Sequence, residues 1–192
     1  MQKIYIVMNK PKDYVCSSVS DSHKTVFSLL PCELQKLLKA KRGERLHTIG
    51  RLDCDATGLL LLTTDGYFSS LLARPENHIE KEYEVTLEKE VTKEEQERYI
   101  KEFLQGVVLP AEKKAIEQKS SPAKLFFLQP NKCLVTINEG KFHQVKRLFL
   151  AVGNKVNSLH RTKIGNFALP KELKMGEFMI IEKSELERFI FT

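Results

Sequence analysis

The run Leu59-Leu60-Leu61-Leu62-Thr63-Thr64 restricts the possible folds of this chain more than any other segment. Its apolar residues are continuous rather than alternating, and Gly58 on one side and Asp65-Gly66 on the other bound it. That pattern predicts a strand buried on both faces, so the rest of the chain must supply neighbouring strands and a cover for each face. Ile4 to Met8 reads as one such strand, running into the turn Asn9-Lys10-Pro11. Lys81 to Leu87 alternates Tyr83, Val85 and Leu87 with charged neighbours, as a half-buried strand does. Further strands are expected over Leu125 to Leu128, Leu134 to Asn138, Val156 to Thr162 and Phe178 to Glu182.

Helices fall between them. Leu34 to Ala40 predicts a short helix ending in the Lys41-Arg42-Gly43 loop, and Tyr67 to Ala73 predicts a second. Thr92 and Glu95 form a capping box for a charged helix that Gly106 stops. In the helix expected from Phe142 to Val152, ended by Gly153, the residues Phe142, Val145, Phe149 and Val152 recur at helical spacing and predict a core face. His143, Lys146 and Arg147 then share another face. Ser184 and Glu187 are expected to cap a last short helix. Irregular alternation of these elements indicates an α+β class with a mixed sheet.

At 192 residues the chain suits one large domain or two fused lobes. It holds no apolar stretch of membrane-spanning length, and the opening apolar run lacks a following cleavage site, so the expectation is a cytoplasmic protein with no membrane partner. Cys16, Cys32, Cys54 and Cys133 include no C-x-x-C pair, and His23, His47 and His78 show no metal-ligand spacing. The net charge of +6 permits a polyanionic partner, and its distribution argues for one. From Gly140 to Lys171 there is no acid, but Lys141, Lys146, Arg147, Lys155, Arg161, Lys163 and Lys171 are all present. Lys36, Lys39, Lys41, Arg42 and Arg45 form a second cluster. RNA or another phosphate polymer fits both.

Gly50-Arg51-Leu52-Asp53-Cys54-Asp55-Ala56-Thr57-Gly58 sets a polar, glycine-bracketed loop directly before the buried strand, where catalytic groups tend to sit. Chemistry alone leaves a turn, a metal site and a catalytic centre open to its two carboxylates. With the strand that follows, up to Gly66, the loop resembles the G-R-L-D-x-x-T-x-G-L-L-L-L-T-x-D-G signature of the RNA pseudouridine synthases, in the RsuA-type branch that acts on ribosomal RNA. Asn9-Lys10-Pro11, Lys81-Glu82-Tyr83 and Glu139 to Arg147 resemble that branch's other motifs in the same order.

The resemblance implies a mixed, mainly antiparallel sheet with flanking helices and a central active-site cleft, and one catalytic domain over residues 1–192. The small S4 RNA-binding domain that usually precedes it is expected to be absent. Asp53 matches the catalytic aspartate, Tyr83 the tyrosine that packs on the target base, and Lys146 the basic partner of the aspartate, with Arg147 as its substitute. Arg51, two residues before Asp53, is expected to hold a phosphate or fill the gap left by an extruded uridine. Charge clustering adds Lys10, His143, Arg161 and Lys163 as backbone contacts. Neither a cofactor nor a metal is implied. Tyr14 to Ser17, His143 to Arg147 and Leu159-His160-Arg161 look closest to the 16S rRNA enzyme, which implies uridine 516 in a pre-ribosomal particle as substrate and a monomeric enzyme. A 23S rRNA enzyme of the same branch is the alternative.

Two readings from other classes compete. Asp53-Cys54-Asp55-Ala56-Thr57 fits the D-x-D-x-T motif of magnesium phosphotransferases, but that motif should end a hydrophobic strand, and His47 to Leu52 makes a poor one. A non-catalytic ribosome-assembly factor would keep the basic surface without the chemistry. Docking through the two basic clusters alone predicts that RNA affinity, measured by filter binding, falls roughly a hundredfold or more between 50 and 200 mM salt. A flat salt response would contradict it.

Overall fold

The computed structural model describes residues 2–112 and 115–191. In chain order its elements are β1 (Tyr5–Lys10), β2 (Tyr14–Val15), β3 (Lys24–Thr25), α1 (Cys32–Lys36), β4 (His47–Ile49), β5 (Thr57–Thr63), α2 (Gly66–Ala73) and β6 (Lys81–Leu87). There follow α3 (Lys93–Gln105), β7 (Val108–Leu109), β8 (Gln118–Lys119), β9 (Lys124–Gln129), β10 (Lys132–Ile137), α4 (Gln144–Ala151), β11 (Val156–Ile164), β12 (Phe167–Ala168), β13 (Phe178–Ile180) and α5 (Lys183–Ile190). The class is α+β, and antiparallel pairing dominates, with the short β2–β3 pair parallel. The chain divides into two compact units, one running up to Ile79 and resuming at Arg161, the other Glu80–His160.

In the first unit β5 is buried on both faces, as its sequence requires: Leu59, Leu60 and Leu61 are inaccessible to solvent. Antiparallel pairing with β1 sets Val7 opposite Leu61 and Met8 opposite Leu60, and β13 lies on the far side of β1. Leu59, Leu61 and Val7 join Phe68 and Leu72 of α2 and Leu186 and Ile190 of α5 in one core cluster. Asp65 is the N-cap of α2. Its Oδ1 accepts the N–H groups of Tyr67 and Phe68 at 3.0 and 3.1 Å, and its Oδ2 accepts the Tyr5 hydroxyl at 2.7 Å. His47–Ile49, unpromising as a strand, pairs with β5 as β4. Its length of three residues is short for a strand, and the ladder of a strong neighbour holds it.

In the second unit β6, β10 and β9 form an antiparallel series, with Tyr83 opposite Val135 and Val135 opposite Leu125. Tyr83, Val85 and Leu87 are the buried side of β6, matching the alternation in the sequence. α3 carries the full capping box between Thr92 and Glu95, and Gly106 closes it with φ 74. Its Phe103 ring meets Phe149 of α4 at 5.1 Å.

Several boundaries move. The helix expected over Leu34 to Ala40 is α1 followed by a 3-10 turn, Leu37–Lys39. The last helix starts at Lys183 behind Glu182, with no side-chain cap, because backbone bonds from Glu185 and Leu186 to the Glu182 carbonyl begin it two residues earlier. Gly58 shows why the signature needs glycine there. It has φ 101, and a Cβ on it would stand 2.4 Å from the Arg161 carbonyl oxygen, against backbone that cannot swing aside. Gly58→Ala is therefore expected to cost about 2–4 kcal/mol in urea unfolding, from strain plus overpacking. Gly50→Ala, with φ 66 but open space around it, should cost only about 1–2 kcal/mol.

Candidate active site

The Asp53 loop joins β4 to β5 within the first unit. Gly50 turns the chain out of β4 with φ 66. Leu52 and Ala56 point inward and are buried, while Arg51 and Asp55 are exposed and Asp53 is partly exposed. The loop therefore hangs on two apolar side chains and presents its charged residues outward. It closes on itself where the Ala56 N–H meets the Asp53 carbonyl at 3.2 Å, and the Asp13 N–H meets the Cys54 carbonyl at 2.9 Å.

Lys10 lies beneath the loop and is wholly buried. Its Nζ donates to the carbonyls of Pro11, Cys54 and Ala56 at 3.0, 3.2 and 2.7 Å. An ammonium has three N–H donors, so three carbonyls use its whole capacity. Burial draws its pKa below the ordinary lysine value, and the nearby Cys16, Cys54, Asp55 and Asp53 groups push back. The expected contact between Lys10 and an RNA backbone is thus corrected: the charge faces inward and shapes the loop. Arg161 is also displaced from the surface. At 2% exposure its Nε donates to the Leu59 carbonyl at 2.8 Å, which makes it a brace for β5 rather than an outward phosphate contact.

Cys16 is a further support that no motif singled out for this purpose. Its buried Sγ accepts the Leu52 N–H at 3.4 Å and donates to the Leu52 carbonyl at 3.5 Å. Burial pushes the thiol pKa up, which keeps the proton needed for the second bond. One side chain thereby holds both polar groups of the residue before Asp53. A thiol at a position read only as a small buried hydrophobe gives no hint of this, since the partner is backbone.

In the second unit Tyr83 on β6 is 6% exposed. α4 starts at Gln144, with His143 as its N-cap in the left-handed region at φ 47. Lys146 is partly exposed. Arg147 is not beside it on an open face, contrary to expectation. It is completely buried, and its Nε, Nη1 and Nη2 donate to the carbonyls of Pro110, Phe142, Leu109 and Ile116 at 2.8 to 3.3 Å. The carbonyls of Leu109, Pro110 and Ile116 point toward the helix, and the guanidinium fork satisfies them. Phe142 is a second correction. It lies ahead of the helix rather than in it and is 40% exposed, so it does not belong to the core face.

Glu139 orders the entry to α4. It accepts the Ser121 N–H and Oγ at 3.0 and 3.1 Å and pairs with Lys141 Nζ at 2.6 Å, and Gln144 Nε2 also donates to it. Burial raises its pKa, but the Lys141 ammonium and the Ser121 donors together outweigh that and hold it below the ordinary glutamate value. Among the described residues no group of three or more His, Cys, Asp or Glu side chains is arranged to hold a metal ion.

Removing the Cys16 thiol should leave the Leu52 N–H and carbonyl unsatisfied. Cys16→Val is expected to lose about 1–3 kcal/mol of stability and to speed hydrogen exchange at the Leu52 amide, whereas Cys16→Ser should recover part of both. Equal protection of that amide in the valine variant and the unaltered protein would refute the clasp.

Comparison with known proteins agrees with the loop. The family profile described as RNA pseudouridylate synthase matches residues 4–151. The ribosomal small subunit pseudouridine synthase A of Haemophilus influenzae is 39% identical over 186 residues, covering 97% of this chain and 73% of that protein. The protein of the same name from Escherichia coli K12 is 40% identical over 182 residues, covering 95% and 72%. A crystal structure of a pseudouridylate synthase superimposes with a TM-score of 0.84 at 39% identity, covering 98% of this chain and 74% of that one. The chain belongs to the RNA pseudouridine synthase family and is an isomerase of the RsuA type.

Proposed function

We propose that this isomerase converts one uridine of 16S ribosomal RNA, uridine 516, into pseudouridine, with Asp53 as its catalytic carboxylate. The observation that carries the reading is the near full-length identity of 39 to 40% to two small-subunit enzymes, together with an intact signature loop at Asp53. The proposed setting is a pre-ribosomal particle in the cytoplasm, with the enzyme acting as a monomer. No helix among the described residues is long and apolar enough to cross a membrane.

The reaction breaks the N1–C1′ bond of the nucleotide, turns the uracil and joins C5 to C1′. The proton lost from C5 is balanced by one gained at N1, so nothing is oxidised or hydrolysed. A single ionised carboxylate suffices by any of three routes: attack on C1′, attack on C6 of the base, or removal of a ribose proton to assist elimination. The uridine has to leave its stack first. Arg51, exposed two residues before Asp53, suits holding a phosphate or filling the vacated space. Tyr83 would stack on the uracil, and Lys146 is proposed as the basic partner of Asp53. His143 is proposed as an RNA contact, whereas Lys10, Arg147 and Arg161 serve the framework instead.

Asp53→Asn keeps the size and shape of the side chain and removes its charge. It is expected to lower pseudouridine formation by roughly a thousandfold or more, measured by single-turnover tritium release from C5, while leaving RNA affinity within a few-fold. Mapping pseudouridines in 16S and 23S rRNA from cells lacking the protein then identifies the substrate. Unchanged modification by the asparagine variant would remove Asp53 from the mechanism, and a site lost from 23S rRNA would transfer the substrate to the large subunit.

A further inference from the structure

Phe142 and His143 form a small rigid platform that the fold itself does not require. The two rings lie nearly parallel, with centroids 3.8 Å apart and planes 17° apart. His143 Nδ1 is 3.0 Å from Oε1 of Glu112, so the imidazole is tethered. Its backbone sits at φ 47, where a non-glycine residue is strained, and no side-chain cap for α4 is gained in return. A glycine would start the helix at lower cost. The histidine does hold its ring, and through it the phenyl ring of Phe142, in one orientation, yet Phe142 remains 40% exposed.

An ordered aromatic ring left open to solvent suits a flat partner that can stack on it. An unpaired nucleobase in a phosphate chain has that chemistry, and such bases stack on protein aromatic rings with little regard to sequence. Because Glu112 already orders the platform, little side-chain freedom is lost on binding. We propose that Phe142, backed by His143 and Glu112, stacks an unpaired base of the bound RNA. The proposal rests on the RNA-modifying function argued above and adds a second base contact to it.

The chain contains no tryptophan, so Phe142→Trp introduces a single indole reporter. Titration with a stem-loop RNA spanning the target uridine is expected to quench that indole as the RNA binds, with affinity followed independently by anisotropy of a dye on the RNA. Phe142→Leu should weaken binding by roughly tenfold, and Phe142→Tyr should restore it. His143→Asn, which tolerates the left-handed backbone but cannot back the phenyl ring, should weaken binding in the same direction. Circular dichroism and urea unfolding at wild-type values show that these variants are folded. Full RNA affinity in the leucine variant, with an unquenched indole, would overturn the platform and leave the RNA reading standing. An absence of RNA binding by the unaltered protein would overturn the RNA reading and the platform with it.

Discussion

The loop that carries Asp53 depends on a buried ammonium. Taking a lysine charge out of water is expensive, and that cost is tolerated only where its hydrogen-bonding capacity is met in full. Lys10 meets it with the carbonyls of Pro11, Cys54 and Ala56. Charge-assisted bonds are the strong ones, and here they act on backbone, so they determine the path of the chain on both sides of Cys54. The Cys16 thiol does the same for Leu52. Between them the two side chains fasten the residues next to Asp53, which is itself partly exposed. A side chain supported in this way keeps its geometry without having to be buried itself.

The second unit uses the same device with different chemistry. Leu109, Pro110 and Ile116 present backbone carbonyls to the Arg147 guanidinium, which donates to all three. Glu139 acts in the opposite sense, as an acceptor that collects donors from Ser121, Lys141 and Gln144 at the start of α4. In each case a charge that looks like ligand chemistry on paper is committed to backbone or to a neighbouring loop. A basic cluster in a sequence therefore overstates the charge available to a polyanion, because some of its members have irregular backbone to satisfy.

β4 bears on the phosphotransferase reading as well. His47–Ile49 is a strand after all, which removes one objection to the D-x-D-x-T alternative. The strand nevertheless ends at Ile49, and Gly50 turns the chain before Asp53 is reached, so the first aspartate of that motif does not cap a strand. Family membership settles the class independently.

What was legible in the sequence was whatever local pattern dictates. The unbroken apolar run had to be buried on both faces, the alternation in β6 had to bury Tyr83, Val85 and Leu87, and Thr92 with Glu95 had to open a helix. The signature around Asp53 was equally plain, because its glycines and its carboxylate answer to backbone geometry and bond chemistry within one short segment. The direction in which each cation points was not legible. Lys10, Arg147 and Arg161 turn inward because carbonyls distant in sequence come to lie beside them, and nothing in their own neighbourhoods records that approach. Phe142 stayed outside the core for the complementary reason: α4 begins two residues later than periodicity suggests, at a histidine held by Glu112 from 31 residues away. Side-chain identity determined which elements form, and long-range backbone contacts, which carry no signal in a linear pattern, decided which charges serve the framework and which face outward.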